Sequence, residues 1–169
     1  MASKHMQRVM REQVKNILNK RPADRRVAAV DGFLLAMMTA FGTHHREAGL
    51  DLSFQRISES CDDPRAVINK HMVEHEEARV VELQELDNWP DILRSNLVGC
   101  ITPEELSQEG QNELLEAFII LLQAVCQGYV HGWRVIGDSA DGSYFHCWCD
   151  IYALAAPDGL YLLYCSIDD

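Results

Sequence analysis

The apolar positions of this chain change their period along its length. Over residues 6 to 20, Met6, Met10, Val14, Ile17 and Leu18 recur at helical spacing, while Lys4, Arg8, Arg11 and Lys15 recur at steps of three and four on another face. This predicts a basic amphipathic N-terminal helix over 6–21, ended by Pro22. A second helix is predicted from Ala23 or Asp24 through Val27, Val30, Leu34, Met37, Met38 and Phe41, with Gly42 as its stop. It is apolar on almost every side, the mark of a central core helix. A short amphipathic segment follows around Leu52, Phe54 and Ile57. Asp63-Pro64 then supplies an N-cap and a first-turn proline for a third helix of about twenty residues to Leu86. Asn88-Trp89-Pro90 is expected to close it. Thr102-Pro103-Glu104-Glu105 has the form of a capping box, and the run Glu113 to Gln127 is apolar nearly all round before Gly128.

Beyond Gly128 the period falls to two. Tyr129 to Ile136, Ser143 to Leu154 and Leu160 to Ile167 are rich in aromatic and β-branched residues, and turn-forming residues separate them at 137–142 and at Ala156-Pro157-Asp158-Gly159. The expected fold class is α+β: four to five N-terminal helices followed by a C-terminal three-stranded antiparallel β-meander, with the helices on one face of the sheet. In the middle strand, Phe145, Cys147, Cys149 and Ile151 share one face. Tyr144, His146, Trp148, Asp150 and Tyr152 share the other, which is either an exposed aromatic surface or a second core layer under a helix.

With 169 residues, 47% of them apolar and 24% charged, the chain suits one globular domain over 6–169. Residues 1–5 read as a cloning-site remnant, because His5-Met6 is what a common cloning site encodes before a native start. The longest apolar runs, Val27 to Phe41 and Ala117 to Cys126, are interrupted by Asp31, Thr39 and Gln123 and fall short of the roughly 20 residues of a bilayer span. No small-residue cleavage site follows the first run, so no membrane association and a cytoplasmic location are expected. Six cysteines without a C-x-x-C pair fit free thiols in a reducing compartment.

Charge separates the chain into two parts. Residues 1–26 carry eight Lys/Arg against two acids, and the remainder carries seven against 24, for a net charge of -11. So acidic a body repels nucleic acid and anionic membrane, and leaves Arg8, Arg11 and Lys15 of the N-terminal helix as the residues able to approach either. It also suits capture of a basic protein surface.

The stretch His71-Met72-Val73-Glu74-His75 carries the most specific chemical pattern. On a helix His71 and His75 lie about 40° apart in projection and Glu74 roughly 60° from His71, so two imidazoles meet one ion with a carboxylate beside a bound water. Over these five residues the spacing resembles the H-x-x-E-H motif of inverted-motif zinc peptidases. The resemblance implies His71 and His75 as ligands of zinc or another divalent metal and Glu74 as the general base. That family takes a third ligand from a downstream glutamate. Here the region about 75 residues on is a predicted strand carrying Asp150. The alternative for the pair is a core-edge position, hydrogen-bonded to acids such as Glu74 or Glu82. His44-His45 offers further imidazoles near a helix end, and Cys147-x-Cys149 with His146 offers thiols, although alternation puts His146 on the opposite face from both. No G-x-S-x-G elbow and no glycine-rich phosphate loop is present, which disfavours serine hydrolase and nucleotide chemistry.

No complete catalytic set is assembled, so the reading leans away from an enzyme. The function expected first is a small acidic cytosolic binding protein of inhibitor, immunity or adaptor type. It would occupy a partner's basic surface and dock through Tyr144, Trp148 and Tyr152, aromatics being favoured at interfaces. The alternative is a metal-dependent hydrolase centred on residues 71–75. A weaker alternative gives the N-terminal helix a nucleic-acid role. The all-round apolar helices leave room for a homodimer interface.

Overall fold

In the computed structural model, which describes residues 13, 17, 21–41, 49–101, 107–127, 131–139 and 149–168, Pro22 leads into helix α1 (Ala23–Phe41). The Pro22 carbonyl accepts the N–H groups of Arg25 and Arg26 at 3.1 and 3.2 Å, giving two donors of the first turn a partner. Val30, Leu34 and Met37 bury one stripe of the helix, as their spacing predicts. Asp31 interrupts that apolar run for a reason. Its Oδ1 accepts the Phe54 N–H at 2.9 Å, and the Met38 sulfur accepts the Leu52 N–H at 3.2 Å. Both donors belong to strand β1 (Gly49–Ser58), so α1 side chains occupy backbone groups of an edge strand.

Helix α2 (Pro64–His75) starts where its signal predicts: Asp63 Oδ1 accepts the Ala66 N–H at 3.0 Å and Pro64 sits in the first turn. It stops at His75 rather than at Leu86. Glu77 takes a φ of 52° and turns the chain into strand β2 (Ala78–Leu86). No glycine or proline marks that corner, and the apolar positions after it fit either period, which is why the sequence reads as uninterrupted helix. Asn88-Trp89-Pro90, expected to end a helix, opens α3 (Trp89–Ile101) instead. The Asn88 carbonyl accepts the N–H groups of Asp91 and Ile92 at 3.1 Å each, and Pro90 lies in the first turn, where a missing N–H costs nothing. Helix α4 (Gln108–Val125) is capped by Ser107, whose Oγ accepts the Gly110 N–H at 3.2 Å. The predicted capping box at Thr102–Glu105 lies outside the described residues, as does the basic helix over 6–21 apart from Gln13 and Ile17, which are helical, and Arg21, which is not.

Strands β3 (His131–Ser139), β4 (Cys149–Ala156) and β5 (Gly159–Asp168) complete one five-stranded sheet in the order β1-β5-β4-β3-β2, antiparallel throughout. This corrects the expected C-terminal three-stranded meander. β3, β4 and β5 pair consecutively as that reading has it, but β1 and β2, from the first half of the chain, are added at the two edges. β3 also runs on through Gly137 and Asp138, read from sequence as turn.

Helices cover both faces of the sheet rather than one. Tyr152, Leu154, Tyr161 and Leu163 pack against α1, α3 and α4, while Ile151, Ala153, Leu160 and Leu162 pack with Ile68 and Met72 of α2. With both faces buried, β4 and β5 read as continuous apolar runs. Each large side chain so buried contributes about 1.5–3 kcal/mol. The Phe54 and Tyr161 rings stack across neighbouring strands, 5.4 Å apart and 3° from parallel. No described helix is long and apolar enough to cross a membrane.

Candidate functional site

On α2, Ile68 and Met72 face the sheet, which leaves His71 and His75 one turn apart on the adjoining flank. Their ring centroids lie 4.5 Å apart, tilted by 41°. Gln55, reaching from β1, places its Nε2 3.3 Å from His71 Nε2. His71 is half-buried and His75 exposed. Burial, and then the neighbouring His75, holds the His71 pKa below its ordinary value, with Glu74 opposing the shift. A neutral imidazole is the form that binds metal. Glu74 is exposed and lies 3.9 Å from Lys70 Nζ. The structure therefore brings the two histidines together and adds Gln55, which sequence spacing had no means of finding. No group of three or more His, Cys, Asp or Glu side chains is placed to hold a metal ion among the described residues.

Asp150, the residue in the region where a third ligand would fall, belongs elsewhere. It shares its sheet face with Tyr152, opposite the neighbouring Ile151, which packs with α2. Its carboxylate is paired with Arg134 and accepts the Tyr152 hydroxyl at 3.2 Å. Tyr152 is 0% exposed and lies in the core with α3 and α4. Of the two readings of its strand face, the core layer holds at this residue, so Tyr152 presents no surface to a partner. Tyr144, Trp148, His44, His45, His146 and Cys147 lie outside the described residues, as do Arg8, Arg11 and Lys15. Cys61 and Cys126 are free thiols.

Several exposed acids lie along one edge of the sheet. β2 pairs with β3 on one side and ends the sheet on the other. Glu74, Glu77, Glu82, Glu85 and Asp87, on β2 and its flanks, are exposed, with Arg79 among them and the exposed Arg65 and Lys70 of α2 beside Val81 and Glu74. Val81, at a bulge of this strand, is 54% exposed, and Val73 of α2 is 49% exposed. Glu85 is 2.6 Å from His131 on the neighbouring strand, while Glu77, Glu82 and Asp87 have no ion-pair partner among the described residues. Sequence reasoning placed this stretch on a helix and so missed the edge.

A buried polar cluster was missed as well. Arg26, counted from sequence as part of the basic N-terminal segment, is 2% exposed and paired with Asp158 in the β4–β5 turn. Arg56 of β1 donates to the Asp158 carbonyl. One signal was present: Arg26 stands four residues before Val30 and eight before Leu34, in line with the buried stripe of α1. Comparison with protein-family models, with curated proteins and with solved structures finds no match to this chain.

Proposed function

We propose that the protein is a small binding protein that occupies a basic surface of a partner protein, in the manner of an inhibitor, immunity factor or adaptor. The observation that carries this reading is the β2 edge, where exposed acids lie beside the exposed Val81 side chain while Asn69 and Arg65 of α2 hold the Val80 N–H and the Val81 carbonyl. An apolar spot beside a surplus of acids offers contact area and steering together, and the same acids disfavour a second copy of this edge. The edge replaces Tyr152 as the docking surface. The test is a partner recovered on immobilised protein and titrated against salt, with the triple variant Glu77→Lys, Glu82→Lys, Glu85→Lys beside the parent chain. Binding is expected to weaken at least about tenfold between 0.05 and 0.5 M salt and to be lost in the variant. A partner held equally by both chains at every salt concentration rejects the reading.

The contact between His71 and His75 favours a second reading, in which α2 binds a divalent metal through two neutral imidazoles and Glu74 acts on a metal-bound water as general base. Zinc, iron or manganese is then expected in protein purified without a histidine tag. Metal content unchanged by His71→Ala and His75→Ala removes this reading.

A further inference from the structure

Around the β4–β5 turn two arginines converge on one residue, Asp158. Arg26 pairs through Nη2 with Asp158 Oδ2, and Arg56 donates through Nη2 to the Asp158 carbonyl. These contacts use only part of the hydrogen-bonding capacity present. Arg26 Nε and Nη1, Arg56 Nε, Asp158 Oδ1 and the Tyr161 hydroxyl are all buried with no hydrogen-bond partner among the described residues. Such groups are costly to leave unsatisfied, and a charged one most of all.

Charge is unbalanced in the same place. Burial, followed by the Asp158 carboxylate, pushes the Tyr161 pKa up, so its hydroxyl keeps its proton as a donor. The same two causes keep the buried Cys126 thiol neutral. Among the described residues, two guanidinium groups therefore meet at one half-buried carboxylate-bearing residue. Glu59, 3.5 Å from Arg56 Nη1, stands out in solvent, where its compensation is screened. In a chain of net charge -11, a positive excess inside the fold is a local feature with a local complement. The turn also runs bare against the arginine: a Cβ on Gly159 would lie 2.7 Å from Arg56 Nε. The Arg56 and Asp158 side chains reach the surface, 19% and 24% exposed.

The complement to four open donors, one open acceptor and one excess positive charge is an anion that accepts several hydrogen bonds and still has one to give. We propose that this end of the sheet binds a protonated oxyanion, inorganic hydrogen phosphate or the monoanion of a phosphate monoester. Its oxygens accept from Arg26, Arg56 and Tyr161, and its hydroxyl donates to Asp158.

Calorimetric titration of the full chain at constant ionic strength tests this, with inorganic phosphate, phenyl phosphate and sulfate as the probes. Phosphate is expected to bind one per chain, and sulfate, which has no proton to donate near neutral pH, at least about tenfold more weakly. Binding of phosphate alone identifies the free ion as the ligand, and binding of phenyl phosphate as well identifies the monoester class; both outcomes support the site. Arg56→Met, at the rim, and Tyr161→Phe, which keeps the ring, are each expected to lower phosphate affinity at least about tenfold while retaining the parent circular dichroism spectrum. No heat of binding with any probe overturns the proposal, as does equal binding of sulfate or phosphate binding unchanged in both variants.

Discussion

The Asn96 side-chain amide donates to the Tyr152 hydroxyl at 3.0 Å, joining α3 to a central strand of the sheet. The hydroxyl in turn donates to Asp150, which is paired with Arg134. A chain of four polar groups thus runs from helix to sheet, and burial is the main cause of the raised Tyr152 pKa. Tyr152→Phe keeps the ring and deletes the link. It is expected to cost about 1–3 kcal/mol in urea-induced unfolding, because two partners lose a buried contact at once. A variant as stable as the parent would show that these groups rehydrate freely.

Gly159 has a φ of 153°, and a Cβ there would approach the Ser58 carbonyl to 2.4 Å. The close neighbour is backbone of an adjacent strand, which has no side-chain rotation with which to yield. Gly159→Ala is therefore expected to lower stability by more than about 1 kcal/mol, despite alanine's smaller loss of chain entropy on folding. Thermal unfolding of the two proteins side by side checks this, and an unchanged midpoint would contradict the close approach.

His71 predicts a direction with pH. Its folded pKa is lowered from 6.5, so between the two values the unfolded chain binds the proton and the folded one does not. The stability this contributes is fully present above the unfolded value and is lost as pH falls through it towards the folded one. Between about pH 8 and pH 5 the parent protein should lose more of its melting temperature than His71→Gln, which does not titrate. Parallel curves for the two proteins would mean that His71 titrates alike in both states.

What was legible in the sequence was local. The start of α2 follows from Asp63-Pro64, and the His71–His75 contact follows from a four-residue spacing on one helix; neither needs any knowledge of the rest of the chain. The β4–β5 hairpin is legible for the same reason, with Ala156-Pro157-Asp158-Gly159 between two apolar runs. β1 was not, although Leu52 and Phe54 alternate with Asp51, Ser53 and Gln55, because five residues of alternation are too few to decide without a partner strand. The polar cluster at Asp158 joins residues 132 positions apart, Arg26 and Asp158, and the charge of Arg26 argues for surface until the fold brings its partner. The acidic edge was hidden by one residue, Glu77, whose backbone turns where an ordinary helix would continue.

The strand order bears on how the chain is made. β1 pairs with β5, and β2 with β3, so the two strands of the first half never touch each other. While a ribosome is delivering residues up to 130, β1 and β2 have no neighbour to join, and β1 still waits when β4 is complete. Sheet assembly on the nascent chain must therefore come late, and closing so long a loop is slow. Until then Leu52 and Phe54 of β1, and Val80 of β2, lack the strands beside which they are buried in the finished fold, the interval in which a chaperone has something to hold.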